Sequence, residues 1–251
     1  MSPSGKASDS DSDMRKFESY HPSHFSGVTW VTLFLEYVMN NLIGVIVSTV
    51  YIVLVLATSK FFTRFGEEAS RKYVHILLCN IWIIYLIFID SMAVACILPA
   101  AFVVINILSY KFKLLKTMER EQNDGFGTVY YAISILLTVL ISYYFKNPML
   151  GTIGILSMGY GDGFAAVIGK KIKSPQYRIG RTTKSLAGSM TMFFVTLIIS
   201  LICLYLIGAE YFVLKAFGLS AIATVLEAIS IAGLDNISVP IVLLILVYLI
   251  V

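Results

Sequence analysis

Two acidic side chains stand inside long apolar stretches: Asp162, within Gly159-Tyr-Gly-Asp-Gly163, and Glu227, near the end of another such stretch. An ionisable group in hydrocarbon costs about 2.5–3.5 kcal/mol on insertion scales, so both are candidates for chemistry. Gly161 and Gly163 flank Asp162. Glycines there either bring a ligand close to the backbone and free helix amides for an anion, or let neighbouring helices pack closely. A carboxylate at such a site suits Mg²⁺. Downstream come Lys170 in Gly169-Lys-Lys-Ile-Lys173 and then Thr182-Thr-Lys-Ser-Leu-Ala-Gly-Ser189. Lys184, Ser185, Gly188 and Ser189 at a helix start combine a cation, hydroxyls and a glycine as a phosphate cradle. The P-loop pattern GxxxxGK[ST] is absent, so the likeness is one of logic only.

Arg71-Lys72-Tyr-Val-His75 opens another apolar stretch and puts His75 one turn from Arg71. A histidine at an interface is often structural, but two adjacent cations make phosphate contact or proton transfer a competing role. Asp235 and Asn236 fall in a turn shortly after Glu227. They either cap a helix or, with Glu227, form a set able to hold Mg²⁺ or orient a hydroxyl.

The elements that must position these residues are membrane helices. Of 251 residues, 58% are apolar and 14% charged, against roughly 25% charged in soluble domains. The apolar residues run in blocks of helix-spanning length without alternation, which predicts an all-α polytopic bundle rather than a barrel. Hydropathy predicts about eight spans, at 42–58, 74–90, 92–110, 128–145, 149–168, 185–208, 211–230 and 237–251. Residues 28–39 either lie at the interface or lengthen the first span. Residues 1–27 read as a disordered polar tail without signal-peptide architecture, and 28–251 as one membrane domain.

Eight crossings group the loops 59–73, 111–127, 169–184 and 231–236 on one side, where 14 of the 19 Lys and Arg residues lie. The positive-inside rule makes that side cytosolic, with the candidate residues at the cytosolic helix ends. A net charge of +4 distributed this way reflects topology and does not suggest nucleic-acid binding. Cys79, Cys96 and Cys203 lie in apolar blocks without metal spacing and read as buried thiols. Oligomeric state is not encoded in any visible pattern.

Taken in order, Arg71-Lys72-x-x-His75, Gly161-Asp162-Gly163 with Gly169-Lys170, Lys184-Ser-Leu-Ala-Gly-Ser189, and Glu227 followed by Asp235-Asn236-x-x-Val-Pro240 resemble the polyprenol kinase family. That family includes phytol kinases, dolichol kinases and CTP-dependent diacylglycerol kinases, and is related to phosphatidate cytidylyltransferases. The resemblance spans about residues 70–240. It implies transfer of the γ-phosphoryl group of CTP, or another nucleoside triphosphate, to the hydroxyl of a membrane lipid alcohol such as phytol or a polyprenol. Asp162 and Asp235 would hold Mg²⁺. Arg71, Lys72, Lys184 and Ser185 would hold phosphates, and Glu227 or His75 would orient or deprotonate the hydroxyl. The alternatives are a diacylglycerol kinase, a phosphatidate cytidylyltransferase and a transporter; the last would want polar groups near the bilayer midplane.

Overall fold

Apolar blocks of this length satisfy their backbone polar groups internally only as helices or closed barrels, and here they form helices. A computed structural model describes residues 27–112, 127–179, 182–231 and 233–251. Nearly all of the polar tail expected over residues 1–27 lies outside these. The helices are α1 (Gly27–Phe62), α2 (Glu67–Leu78), α3 (Ile81–Phe88), α4 (Met92–Phe112), α5 (Gly127–Tyr144), α6 (Met149–Leu156), α7 (Gly163–Lys171), α8 (Leu186–Leu206), α9 (Phe212–Ile229) and α10 (Asp235–Ile250). A 3₁₀ turn, Thr63–Phe65, follows α1, and a π-helical segment, Ser157–Asp162, joins α6 to α7. The only strands among the described residues are β1 (Gln176–Ile179) and β2 (Thr182–Ser185), an antiparallel hairpin.

The chain falls into two units, residues 1–39 and 40–251. In the first, the described residues are helical from Gly27, so the 28–39 segment lengthens the first helix.

Six helices among the described residues are long and apolar enough to cross a membrane. The predicted span at 149–168 is helical throughout but changes winding at Ser157. The last, α10, has 16 residues, about 24 Å of rise, so it is short for a full crossing. The predicted span at 74–90 is divided at Cys79 and Asn80 into α2 and α3.

Residues 149–171 form the central element. Almost every residue from Leu150 to Gly163 is buried or half-buried by protein. On one side Leu150 and Ile153 join a core with Met192, Leu204, Leu219 and Leu243; on the other Ile155 and Met158 join a core with Leu78, Trp82, Tyr131 and Val139. Close approach depends on glycine. A Cβ on Gly154 would lie 2.5 Å from the Pro240 carbonyl oxygen.

The candidate residues of different loops meet at one end of the bundle. At one end Lys72, Gly127, Lys184 and Asn236, one from each basic or acidic loop, meet in a single cluster of contacts. At the other end the Tyr143 hydroxyl donates to the Ile89 carbonyl, and Lys215 donates to the carbonyl of Ile250.

Candidate active site

Asp162 ends the π-helical segment, where the wider winding displaces its side chain from the regular helix register. Such single-turn segments recur at functional positions. Its carboxylate pairs with Lys72 at 2.7 Å, and His75 Nε2 lies 3.4 Å away. His75 Nε2 is also 3.1 Å from the Met158 carbonyl. Both neighbours are oxygen acceptors, so Nε2 is the ring nitrogen that carries hydrogen and donates to them. Tyr131 lies against the imidazole, with 4.3 Å between centroids and the rings tilted by 48°, and donates from its hydroxyl to the His75 carbonyl.

Lys184 comes from β2, opposite Tyr177 in the hairpin register. Its ammonium is 2.6 Å from Glu227 Oε1 and 3.7 Å from Asp235 Oδ2, and it donates to the Glu227 carbonyl as well. Burial alone would lower its pKa, but the Glu227 and Asp235 carboxylates outweigh that and hold it above the ordinary lysine value. The lysine is therefore a fixed positive charge at neutral pH.

Carboxylate oxygens of Asp162, Glu227 and Asp235 all lie within 4.8 Å of one another. Three acids thus face Lys72 and Lys184, leaving one negative charge in excess when His75 is neutral. Glu227 Oε2 and Asn236 Oδ1 are buried and have no hydrogen-bond partner among the described residues. Unsatisfied buried oxygens beside an anionic cluster match a hard divalent cation, which takes oxygen ligands. The residues present fit Mg²⁺. Adding one would turn the local charge positive, as a nucleoside triphosphate requires.

Other candidates have structural work of their own. Ser185 caps α8, accepting from the Gly188 amide at 3.2 Å, and its hydroxyl donates to the Gly169 carbonyl. Gly188 and Gly169 let α7 and α8 cross closely around it, and Ser189 meets the Tyr177 hydroxyl at 2.5 Å. The space left by Gly161 is filled by Met192 and that left by Gly163 by Ile76, so packing accounts for both glycines. Asn236 donates from its amide nitrogen to the Gly127 carbonyl at 2.9 Å. Arg71, one residue before Lys72, is half-buried at the same end of α2, and Lys170 lies in the last turn of α7.

A polar relay beneath the site is not evident from the motifs. The Tyr160 hydroxyl donates to Asn80 Oδ1 at 2.6 Å, Asn80 Nδ2 donates to the Tyr51 hydroxyl, and Tyr51 donates to the Leu77 carbonyl. It ties the turn before Asp162 to the break between α2 and α3. The sequence signal was Asn80 itself, an amide inside an apolar run.

Comparison with known proteins decides the family. A phytol kinase from Synechocystis sp. is 32% identical over 208 residues, covering 79% of this chain and 87% of that protein. The chain belongs to the polyprenol/phytol kinase family. Phytol kinase 1, chloroplastic, of Arabidopsis thaliana is 29% identical over 205 residues, 73% of this chain and 66% of its own. Probable phytol kinase 1, chloroplastic, of Oryza sativa subsp. japonica is also 29% identical, over 206 residues, 73% of this chain and 64% of its own. No protein-family profile matches the chain, and no solved structure does. Membership makes the protein a lipid-alcohol kinase, an activity that needs a nucleotide phosphate donor.

Proposed function

We propose that the protein transfers the γ-phosphoryl group of CTP to the hydroxyl of an isoprenoid alcohol such as phytol, at a site on the cytosolic ends of its helices. The observation that carries this reading is the meeting of Lys72, Asp162, Lys184, Glu227 and Asp235 from five separate elements at one end of the bundle. A water-borne triphosphate and a membrane-dissolved alcohol can both arrive there. The cytosolic assignment rests on the basic loops.

The reaction forms a bond between the alcohol oxygen and the γ-phosphorus. It breaks the bond from that phosphorus to the bridging oxygen of the nucleoside diphosphate, and the hydroxyl proton is lost. Such transfers need positioning and charge neutralisation more than covalent chemistry. Asp162 and Asp235, with Glu227 beside them, would hold Mg²⁺, which supplies charge neutralisation on the phosphates. Lys184 and Lys72 supply positive charge, and Arg71 and Lys170 stand at the approach for phosphate oxygens; Ser185, Gly188 and Ser189 shape the start of α8 beside Lys184, the Gly188 amide being taken by Ser185 Oγ. Gly161 and Gly163 let Met192 and Ile76 press the Asp162 turn into place. Glu227 Oε2, buried and unpartnered, is better placed to accept the alcohol hydrogen than His75 Nε2, which is already donating.

The test is label transfer in membranes containing the protein, with phytol, geranylgeraniol, dolichol and diacylglycerol as separate acceptors. Label from γ-labelled CTP should appear on an isoprenoid alcohol and depend on Mg²⁺. Label from α-labelled CTP on lipid would instead make the protein a cytidylyltransferase, transfer only to diacylglycerol would reassign the acceptor, and preference for ATP would reassign the donor.

A further inference from the structure

Two irregular turns of opposite kind lie side by side. Between α2 and α3 the winding tightens: the amides of Asn80, Trp82 and Ile83 each donate three residues back, to the carbonyls of Leu77, Cys79 and Asn80, at 3.0, 3.1 and 3.0 Å. In Ser157–Asp162 the winding widens instead, to a π-helix. The two come close at Gly159, where an added Cβ would fall on the Cys79 side chain. Beside that contact the Tyr160 hydroxyl donates to Asn80 Oδ1 at 2.6 Å.

Both ends of the Asn80 amide are engaged. Its Nδ2 donates to the Tyr51 hydroxyl of α1 at 3.0 Å, and that hydroxyl donates in turn to the Leu77 carbonyl at 2.9 Å, which also receives the Asn80 backbone amide. The chain closes on itself, so the amide nitrogen faces Tyr51 and the amide oxygen is left for Tyr160. Asn80 follows Lys72 by eight residues, about 12 Å of helix rise, so it cannot touch a group held by Asp162 and Lys72.

The π-helical winding needs such a hold. It accounts for well under about 1% of residues in proteins, because regular α winding competes with it. Reversion of this segment to α winding would turn Asp162 by about 100° around the helix axis, one residue's worth of rotation. His75 grips the segment through the Met158 carbonyl, from within the charged cluster. Asn80 grips it from outside that cluster, two residues before Asp162.

Resting on the reading of Asp162 as a ligand of the divalent cation, we propose that Asn80, with Tyr160 and Tyr51, is a positioning residue that holds the π-helical turn in register and so aims the Asp162 carboxylate at the cation. It acts through Tyr160 and the backbone, without touching nucleotide, cation or alcohol. Hydrogen bonds of this kind behind a metal ligand are worth about 10- to 100-fold in metal affinity or activity.

The experiment uses the purified full chain in lipid nanodiscs, with Mn²⁺ as a spectroscopic probe of the cation site, read by electron paramagnetic resonance beside kcat, KM and melting temperature. Tyr160→Phe keeps the ring and removes the tie. It should weaken Mn²⁺ binding and lower kcat by about tenfold or more, with the nucleotide KM within about twofold. Tyr51→Phe breaks the same chain at its far link and should move both readings in the same direction, which keeps the test decisive should Tyr160→Phe fail to fold. The control is Tyr143→Phe, which loses a comparable hydroxyl bond, 2.8 Å to the Ile89 carbonyl, at the opposite end of the bundle. It should lower the melting temperature similarly and leave kcat and Mn²⁺ affinity within about twofold. Mn²⁺ binding weakened by Asp162→Asn but unchanged by folded Tyr160→Phe and Tyr51→Phe would overturn the positioning role alone. Mn²⁺ binding unchanged by Asp162→Asn would overturn the cation reading and the positioning role together.

Discussion

Lys184 and Lys72 illustrate how a buried charge earns its place only by being paired. Removing one partner of such a pair costs about 3–5 kcal/mol, because the other charge stays behind in low dielectric. Lys184→Met should therefore both weaken nucleotide binding and cut turnover, by about 10²–10³-fold, and a companion Glu227→Gln change should recover part of the lost thermal stability but none of the turnover. The raised Lys184 pKa gives a pH expectation with a definite sign. Its pairing stabilises the fold fully below the usual lysine value of 10.5 and is lost as pH rises through its higher folded value. Stability followed by thermal unfolding should thus show no loss from this residue up to about pH 10. His75 belongs to a different class. As a general base it would contribute about 10²–10⁴-fold; as a donor that holds Asp162 and the Met158 carbonyl, it should cost less than about tenfold when replaced by Asn, which also offers an N–H. Turnover of His75→Asn across pH separates these roles.

The residue roles depend on elements whose irregularities were only partly legible in the sequence. Asp162 announced itself because a carboxylate inside an apolar run needs a reason. Lys72 was legible as a cation for phosphate but not as the partner of Asp162, since nothing in local spacing tells which of many loop cations will reach a residue 90 positions away. The glycines marked the central helix as unusual, but both explanations, ligand approach and close packing, write the same letters. Packing is visible at Gly151, where an added Cβ would lie 2.4 Å from Thr138 and 2.5 Å from Trp82. The β-hairpin was missed because two four-residue strands beside a basic loop carry no apolar alternation, yet it is what delivers Lys184. Gly154→Ala tests the element directly. Its new methyl group meets the backbone of Pro240, which cannot rotate away, so thermal unfolding should show a loss of about 1–3 kcal/mol. Tyr160→Phe, which removes a donor to Asn80, should cost about 1 kcal/mol.

At the scale of the molecule, hydropathy and loop charge were enough to sort helix ends into two groups, because both follow from transfer free energies that act on each segment separately. The structure brings Lys72, Gly127, Lys184 and Asn236 together at one end of the bundle. What single-segment energetics could not supply was which helices touch and the short α10, which depend on the fit of distant side chains. Single cysteines placed at positions 60 and 173 should react with a membrane-impermeant thiol reagent from the cytosolic side only, while one at 146 should react only from the other side; a residue-146 cysteine labelled together with the first two would break the topology. The most direct measurement is the initial rate of γ-phosphoryl transfer from CTP to phytol by purified Asp162→Asn protein, with its melting temperature recorded in parallel. The account predicts a folded protein whose rate falls by about 10²–10³-fold or more and is not restored by raising Mg²⁺. A folded Asp162→Asn protein working at the unsubstituted rate would contradict it.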